Sequence, residues 1–361
     1  MSADRVPCPP LSKGALKCRD LGISIGRLTP GPRNDITDVA GVSVGHRTVD
    51  DSETHVHTGV TAVKPSPNPA WYAPVPAAVH VINGFGKTMG IAQVEELGRL
   101  ETPILLTNTF SIGAVHEGML RFALREDAEL RTGRVTLNPV VAECNDSQLS
   151  NIQALAVRPG HAIDALDAAD SHATAQGSVG AGRGMVMFGY KGGIGTASRT
   201  LPGGNVGILV LANFGRQDEL MIAGRPVGRH LVSEKRPAPD VRSAGSVIVV
   251  LATDLLVDQR TLHRALRRVQ SGLARTGANV AHASGELAIG FRSDFRRTPN
   301  DLQRQAEPSE TQTDLLFDAT VEATEEAVLN ALLNAESVST ASPVPTFPTE
   351  RLPELMTWSP R

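Results

Sequence analysis

The chain has 361 residues, a formal net charge of −3, 41% hydrophobic residues and 20% charged residues. That balance suits a globular chain with a sizeable core and argues against a nucleic-acid-binding surface. No run of 18 apolar residues occurs, so neither a transmembrane helix nor a membrane partner is expected.

The opening stretch, MSADRVPCPPLSKGALKCRD, has no apolar segment of the secretory kind, and a cytoplasmic location is expected. The three cysteines, Cys8, Cys18 and Cys144, are odd in number and fit no zinc spacing, so free thiols are expected. HVH (55–57), with His46 near in sequence, suggests a metal site only weakly; surface histidines are the simpler reading. Short apolar runs predict buried strands at 60–64, 77–82, 103–109, 135–143, 185–190, 206–214, 246–254 and 286–291. Helical spacing is expected over 91–100, 111–125 and 321–335. It is clearest over 258–275, where Leu262, Leu266, Val269 and Leu273 form a stripe behind a capping Asp258. Residues 295–314 read as a long charged loop. The last stretch, 337–361, reads as an extended tail, because it has five prolines and no period. Strands and helices mix throughout, which predicts one large α/β domain over 1–336 followed by the tail.

Three glycine-rich stretches invite a phosphate-binding reading. GFGKT (84–88) lacks the glycine that a phosphate loop needs at position 81, which is Val. GAGRGM (180–185) and GGIGTA (192–197) lack the dinucleotide spacing and its acidic partner. HExxH does not occur.

A different chemistry is available at AGSVIVVLATD (244–254), where Gly245 and Ser246 stand before a long apolar run. A serine hydroxyl needs something to take its proton. If the bond before Ser246 is cut, the serine gains a free α-amine with a pKa near ~8, a base close to neutral. A glycine before it eases backbone rotation at the bond to be cut, and the strand behind it holds it still. A turn into a buried strand explains the same residues with no chemistry at all.

The chain resembles the L-aminopeptidase/D-amino-acid esterase and β-peptidyl aminopeptidase family. The stretches that carry the likeness are RDLGI (19–23), PGPRNDITDVAGVSVGH (30–46), HVINGFGK (80–87), ETPILLTNT (101–109), PVVAECND (139–146), YKGGIGTASR (190–199), ILVLANFGRQDEL (208–220), GSVIVVLATD (245–254) and SGELAIGF (284–291). The resemblance implies a layered αββα sandwich like that of the N-terminal-nucleophile hydrolases. It implies self-cleavage between Gly245 and Ser246 into 1–245 and 246–361, with Ser246 as nucleophile. Asn213 is implied at the oxyanion hole, Ser284 and Glu286 as an active-site pair, and Glu143 as the carboxylate that contacts the substrate amine. It further implies small peptide, amino-acid amide or ester substrates, a homotetramer of processed protomers, and no metal or organic cofactor. The motif departs at Cys144-Asn145: a tyrosine that is catalytic in part of the family has no counterpart at Asn145. Two other readings stand beside this one. An acyltransferase of the ornithine acetyltransferase type typically carries threonine as its nucleophile, against Ser246 here. A non-catalytic member of the fold would have no need of these retained residues.

Overall fold

The computed structural model describes residues 15–133, 136–233, 245–293, 308–340 and 343–357. The strands are β1 (Ser43–Asp51), β2 (Val56–Lys64), β3 (Val75–Gly84), β4 (Arg99–Leu100), β5 (Ile104–Asn108), β6 (Val140–Cys144), β7 (Val186–Met187), β8 (Tyr190–Lys191), β9 (Gly193–Leu201), β10 (Gly204–Asn213), β11 (Ser246–Thr253) and β12 (Gly285–Arg292). The helices are α1 (Ile91–Leu97), α2 (Ile112–Glu126), α3 (Ala128–Thr132), α4 (Pro159–Asp167), α5 (Val227–Ser233), α6 (Gln259–Arg275), α7 (Glu310–Leu333) and α8 (Leu352–Thr357).

Two sheets carry the architecture. One has the order β1-β2-β5-β6, the other β4-β3-β12-β11-β10-β9, and β7 and β8 form a small hairpin. Val250, Leu209, Leu106 and Val140 meet in the core between the sheets. Val249, Leu266 and Val328 belong to a second core, where α6 and α7 cover the outer face of the six-stranded sheet. A third core joins Val60 and Val141 to Met119 and Leu166, on α2 and α4. The result is four layers, αββα, as expected. Covering on both faces explains why all eight residues of β11 are buried and why its sequence is an unbroken apolar run.

Local chemistry sets the element ends. The Asp258 carboxylate accepts from Thr261 N at 2.7 Å, capping α6. Ser309 and Gln312 form a reciprocal capping box at the start of α7. That helix is longer than the expected 321–335 and starts inside the stretch read as a loop; 295–307 lies outside the described residues. The run 185–190 is a hairpin rather than a strand, because Phe188 and Gly189 both have positive φ and reverse the chain. Pairing in β6 begins only at Val140, and residue 135 is outside the described residues. Strand β1 and helix α4 had no clear sequence signal.

The histidines also differ from expectation. His55 has a positive φ, so HVH is not an extended segment. His57 is fully buried, bonded to Asp50 at 2.5 Å and to Ser339 O at 3.1 Å. Cys18 and Cys144 are free and buried, and Cys8 lies outside the described residues. The tail is not wholly extended: α8 buries Leu352 and Leu355, and Phe347 packs edge-on against Tyr190. No helix among the described residues is long and apolar enough to cross a membrane.

A buried ionic cluster ties the layers together. Arg199 of β9 is fully buried, with Nε 3.0 Å from Glu322 and a terminal nitrogen 2.7 Å from Glu326, both on α7. Glu322 also accepts from the backbone of Arg27, and Glu326 from Asn34. Removing one member leaves buried charge uncompensated, so Arg199→Ala is expected to cost about 3 kcal/mol. Urea unfolding checks this; a change under about 0.5 kcal/mol would mean that the carboxylates find other partners.

Candidate active site

Strand pairing brings the expected residues to one end of the six-stranded sheet. Ser246 opens β11, and its register partners are Asn213 at the end of β10 and Gly285 at the start of β12. Ile248 and Leu211 point into the core between the sheets, and alternation places the Ser246 hydroxyl and the Asn213 amide on that same face. Two N–H groups converge on Ser246 Oγ. Asn213 Nδ2 and the backbone N of Asn145 each lie 3.3 Å from it. Asn145 follows β6, so the hydroxyl bridges the ends of the two sheets. It is 4% exposed, dry enough to strengthen each polar contact.

The Asn213 amide is held in one orientation. Its Oδ1 accepts from Val186 N at 2.9 Å, and its Nδ2 donates to Asn145 O at 2.8 Å. These bonds decide which end of the amide faces Ser246. Cys144, beside Asn145, is fully buried, and burial raises its thiol pKa, keeping it protonated and neutral next to Ser246.

Gly245 stands tightly against Phe214. Its φ lies outside the left-handed region, and an added Cβ would stand 3.0 Å from Phe214 Cβ and 3.1 Å from its Cα. Gly285 is similarly closed in: a Cβ there would meet Gly86 N at 2.8 Å. The GFGKT stretch therefore forms a backbone wall against the end of β12.

Ser284 donates to Glu286 Oε1 at 2.8 Å, so the expected pair does form. Burial raises the Glu286 pKa, and the Ser284 bond opposes that shift. Glu286 pairs with Val247, whose side chain lies in the helix-side core. The pair thus flanks the strand end from the face opposite the Ser246 hydroxyl. Glu143 is 3% exposed and accepts from Lys87 N at 2.9 Å and from the Thr109 hydroxyl. Its Oε1 is 3.5 Å from where a Cβ on Gly86 would be. The series Ser246, Gly285, Gly86, Glu143 therefore links the start of β11 to β6.

Sequence reasoning missed the Asn145 and Val186 N–H groups, because a backbone donor has no residue-type signature. It also missed Thr109, although a hydroxyl closing LLTNT resembles a strand-end site in the same way that Ser246 does. Among the described residues, no group of His, Cys, Asp and Glu is arranged to hold a metal.

Residues 34–344 match the model of peptidase family S58. The chain belongs to that family. A β-peptidyl aminopeptidase of Sphingosinicella microcystinivorans is 34% identical over 85% of this chain and 82% of its own length. Among solved structures, a Burkholderia sp. β-aminopeptidase is 36% identical, with a TM-score of 0.86 over 96% of this chain and 100% of the other. The L-aminopeptidase D-Ala-esterase/amidase of Ochrobactrum anthropi is 35% identical, with a TM-score of 0.84 over 94% and 98%. That enzyme is described as a prototype for the serine aminopeptidases and a new variant of the Ntn-hydrolase fold. The S58 chain described here has this αββα fold and is a hydrolase of the aminopeptidase/esterase kind.

Proposed function

We propose that this S58 member cuts itself between Gly245 and Ser246 and uses the freed serine to hydrolyse amide or ester bonds next to a substrate's free amine. The observation that carries the proposal is the convergence of two fixed N–H donors on a buried serine hydroxyl at the start of a rigid strand. In self-cleavage, Ser246 Oγ attacks the Gly245 carbonyl, and the resulting ester is hydrolysed. Gly245 leaves as a carboxylate and Ser246 keeps a free amine. In turnover, Oγ attacks the substrate carbonyl and its proton passes to the α-amine, directly or with help from Ser284 and Glu286. The amine lies in the sheet plane, between the Ser246 hydroxyl on one face and the Ser284–Glu286 pair on the other. Asn213 Nδ2 stabilises the oxyanion, and the Asn145 N–H is placed to share that role without the tyrosine. The leaving group departs with the proton, and water releases the acyl group from Ser246.

Glu143 holds the substrate's ammonium. Charged hydrogen bonds of this kind are worth about 1.5–3 kcal/mol, so Glu143→Gln is expected to raise KM roughly 10- to 100-fold with a smaller effect on kcat. Kinetics on aminoacyl-p-nitroanilides check this, and an unchanged KM would remove Glu143 from the amine site. The relatives act on β-peptides or on L- and D-aminoacyl compounds, so the substrate class is small amides and esters of these amino acids. Processed protomers form a cytoplasmic homotetramer, each with one catalytic unit over 1–336 and the tail 337–361.

A denaturing gel with N-terminal sequencing tests the core of the proposal. The expected bands are about 26 kDa, from 38.2 kDa in proportion to 245 of 361 residues, and about 12 kDa. The smaller band should begin Ser-Val-Ile-Val. A purified chain that stays whole and hydrolyses none of a panel of α-L-, D- and β-aminoacyl-p-nitroanilides would overturn it.

A further inference from the structure

The stretches GAGRGM (180–185) and YKGGIGTASR (190–199) meet beside Asn213, and one peptide unit links them to the nucleophile. Lys191 is fully buried. Its Nζ donates to Arg183 O at 2.9 Å and to Met185 O at 2.8 Å. The Met185 carbonyl belongs to the same planar peptide as the Val186 N–H. That N–H donates to Asn213 Oδ1 at 2.9 Å, while Asn213 Nδ2 stands 3.3 Å from Ser246 Oγ. We infer that Lys191 is a positioning residue for the oxyanion hole: it grips the 185–186 peptide by its carbonyl, so that the N–H on the other side orients the Asn213 amide toward Ser246.

The physical case rests on rigidity. An asparagine side chain has a broad terminal torsion, so its donor points at a developing oxyanion only if something else holds the oxygen end. Here the holder is the 185–186 peptide, which directly follows the glycine-rich segment Gly180–Gly184. Lys191 fixes its carbonyl side from a fully buried position. The Met185 carbonyl also accepts from Gly192 N at 2.8 Å, so both of its lone pairs are used and the peptide cannot rotate freely. Burial, with Arg183 nearby, pulls the Lys191 pKa down to about 7, while Asp146 and Asp50 oppose that shift. The grip needs only two N–H groups. The ammonium has three and the neutral amine two, so the contact survives in either state.

This inference rests on Ser246 and Asn213 having the roles proposed above, and its test separates the two. Lys191→Met keeps most of the side chain's length and deletes the donors. It is compared with Asn213→Ala and with the double variant, all as full-length chains, using the p-nitroanilide that wild type cleaves fastest. Activity is counted per processed protomer. Lys191→Met is expected to lower kcat at least about tenfold, a part of the 10²–10³-fold that a lost oxyanion donor costs, with KM within about twofold. In the Asn213→Ala background the same substitution should add almost nothing, because the residue it positions is gone. Equal losses in both backgrounds, or an unchanged kcat, would overturn the inference. A crystal structure of Lys191→Met gives a readout that does not depend on activity. The Asn213 amide should leave its 3.3 Å approach to Ser246 Oγ; an amide still in place refutes the positioning role even if wild type hydrolyses nothing. Lys191→Leu, which also has no donor, carries the same comparison if the methionine variant fails to fold.

Discussion

Ser246→Ala is expected to leave a single chain of 38.2 kDa and to reduce hydrolysis to the background rate. Both effects follow from the loss of one atom, because the same Oγ attacks the Gly245 carbonyl in processing and the substrate carbonyl in turnover. The variant should still fold. Alanine fits the buried start of β11, and the price is two N–H donors, from Asn145 and Asn213, that lose an acceptor. Asn213 Nδ2 keeps its bond to Asn145 O. A net loss of about 1–2 kcal/mol in unfolding free energy is expected, small beside the loss of all activity. A thermal melt, a denaturing gel and an aminoacyl-p-nitroanilide assay on one preparation separate these effects. Two fragments from Ser246→Ala would mean that the chain is cut by another group or by a contaminating protease, and the nucleophile assignment would fall.

Asn213→Ala should lower kcat by about 10²–10³, equivalent to 2.7–4 kcal/mol of transition-state stabilisation, with KM nearly unchanged. The reason is differential binding: the side-chain donor matters most when the carbonyl oxygen carries negative charge. A purely structural role, closing the end of β10, predicts something else. Asn213→Asp retains the oxygen that accepts from Val186 N but loses the donor to Asn145 O, so a structural role predicts lost stability with kcat largely kept. It places an acceptor, negatively charged when ionised, where the oxyanion forms, so the catalytic role predicts a loss at least as large as that of alanine. Steady-state kinetics on processed protein decide. An aspartate variant within about threefold of wild type would show that Asn213 serves the strand end alone.

How much of this was legible beforehand depended on the kind of signal. The core strands β2, β5, β10, β11 and β12 show as apolar runs because both faces of each are covered. Helix α6 shows because one face meets the sheet and the other meets water. Helix α7 was under-read. Glu322, Glu325 and Glu326 look solvent-facing in sequence, yet all three are buried, and two of them meet the buried Arg199. Their partner lies more than a hundred residues away, beyond any local window. His57 was misread for the same reason, since Asp50 and Ser339 reach it through the fold.

The candidate site divides along the same line. Local chemistry made Gly245-Ser246 conceivable as a cleavage bond and nucleophile, and the family likeness supplied the names Asn213, Ser284, Glu286 and Glu143. The sequence by itself determined the alternation of buried strands and amphipathic helices, because those patterns follow from the two-residue and 3.6-residue periods of a single segment. Only the tertiary structure decided that Ser246, Asn213 and Gly285 share one register at one sheet end, that the Asn145 N–H meets the nucleophile from the other sheet, and that residue 245 stands tightly against Phe214. Those facts depend on which strands pair and how the sheets stack. Such contacts form between segments far apart in the chain and leave no periodic trace in either one.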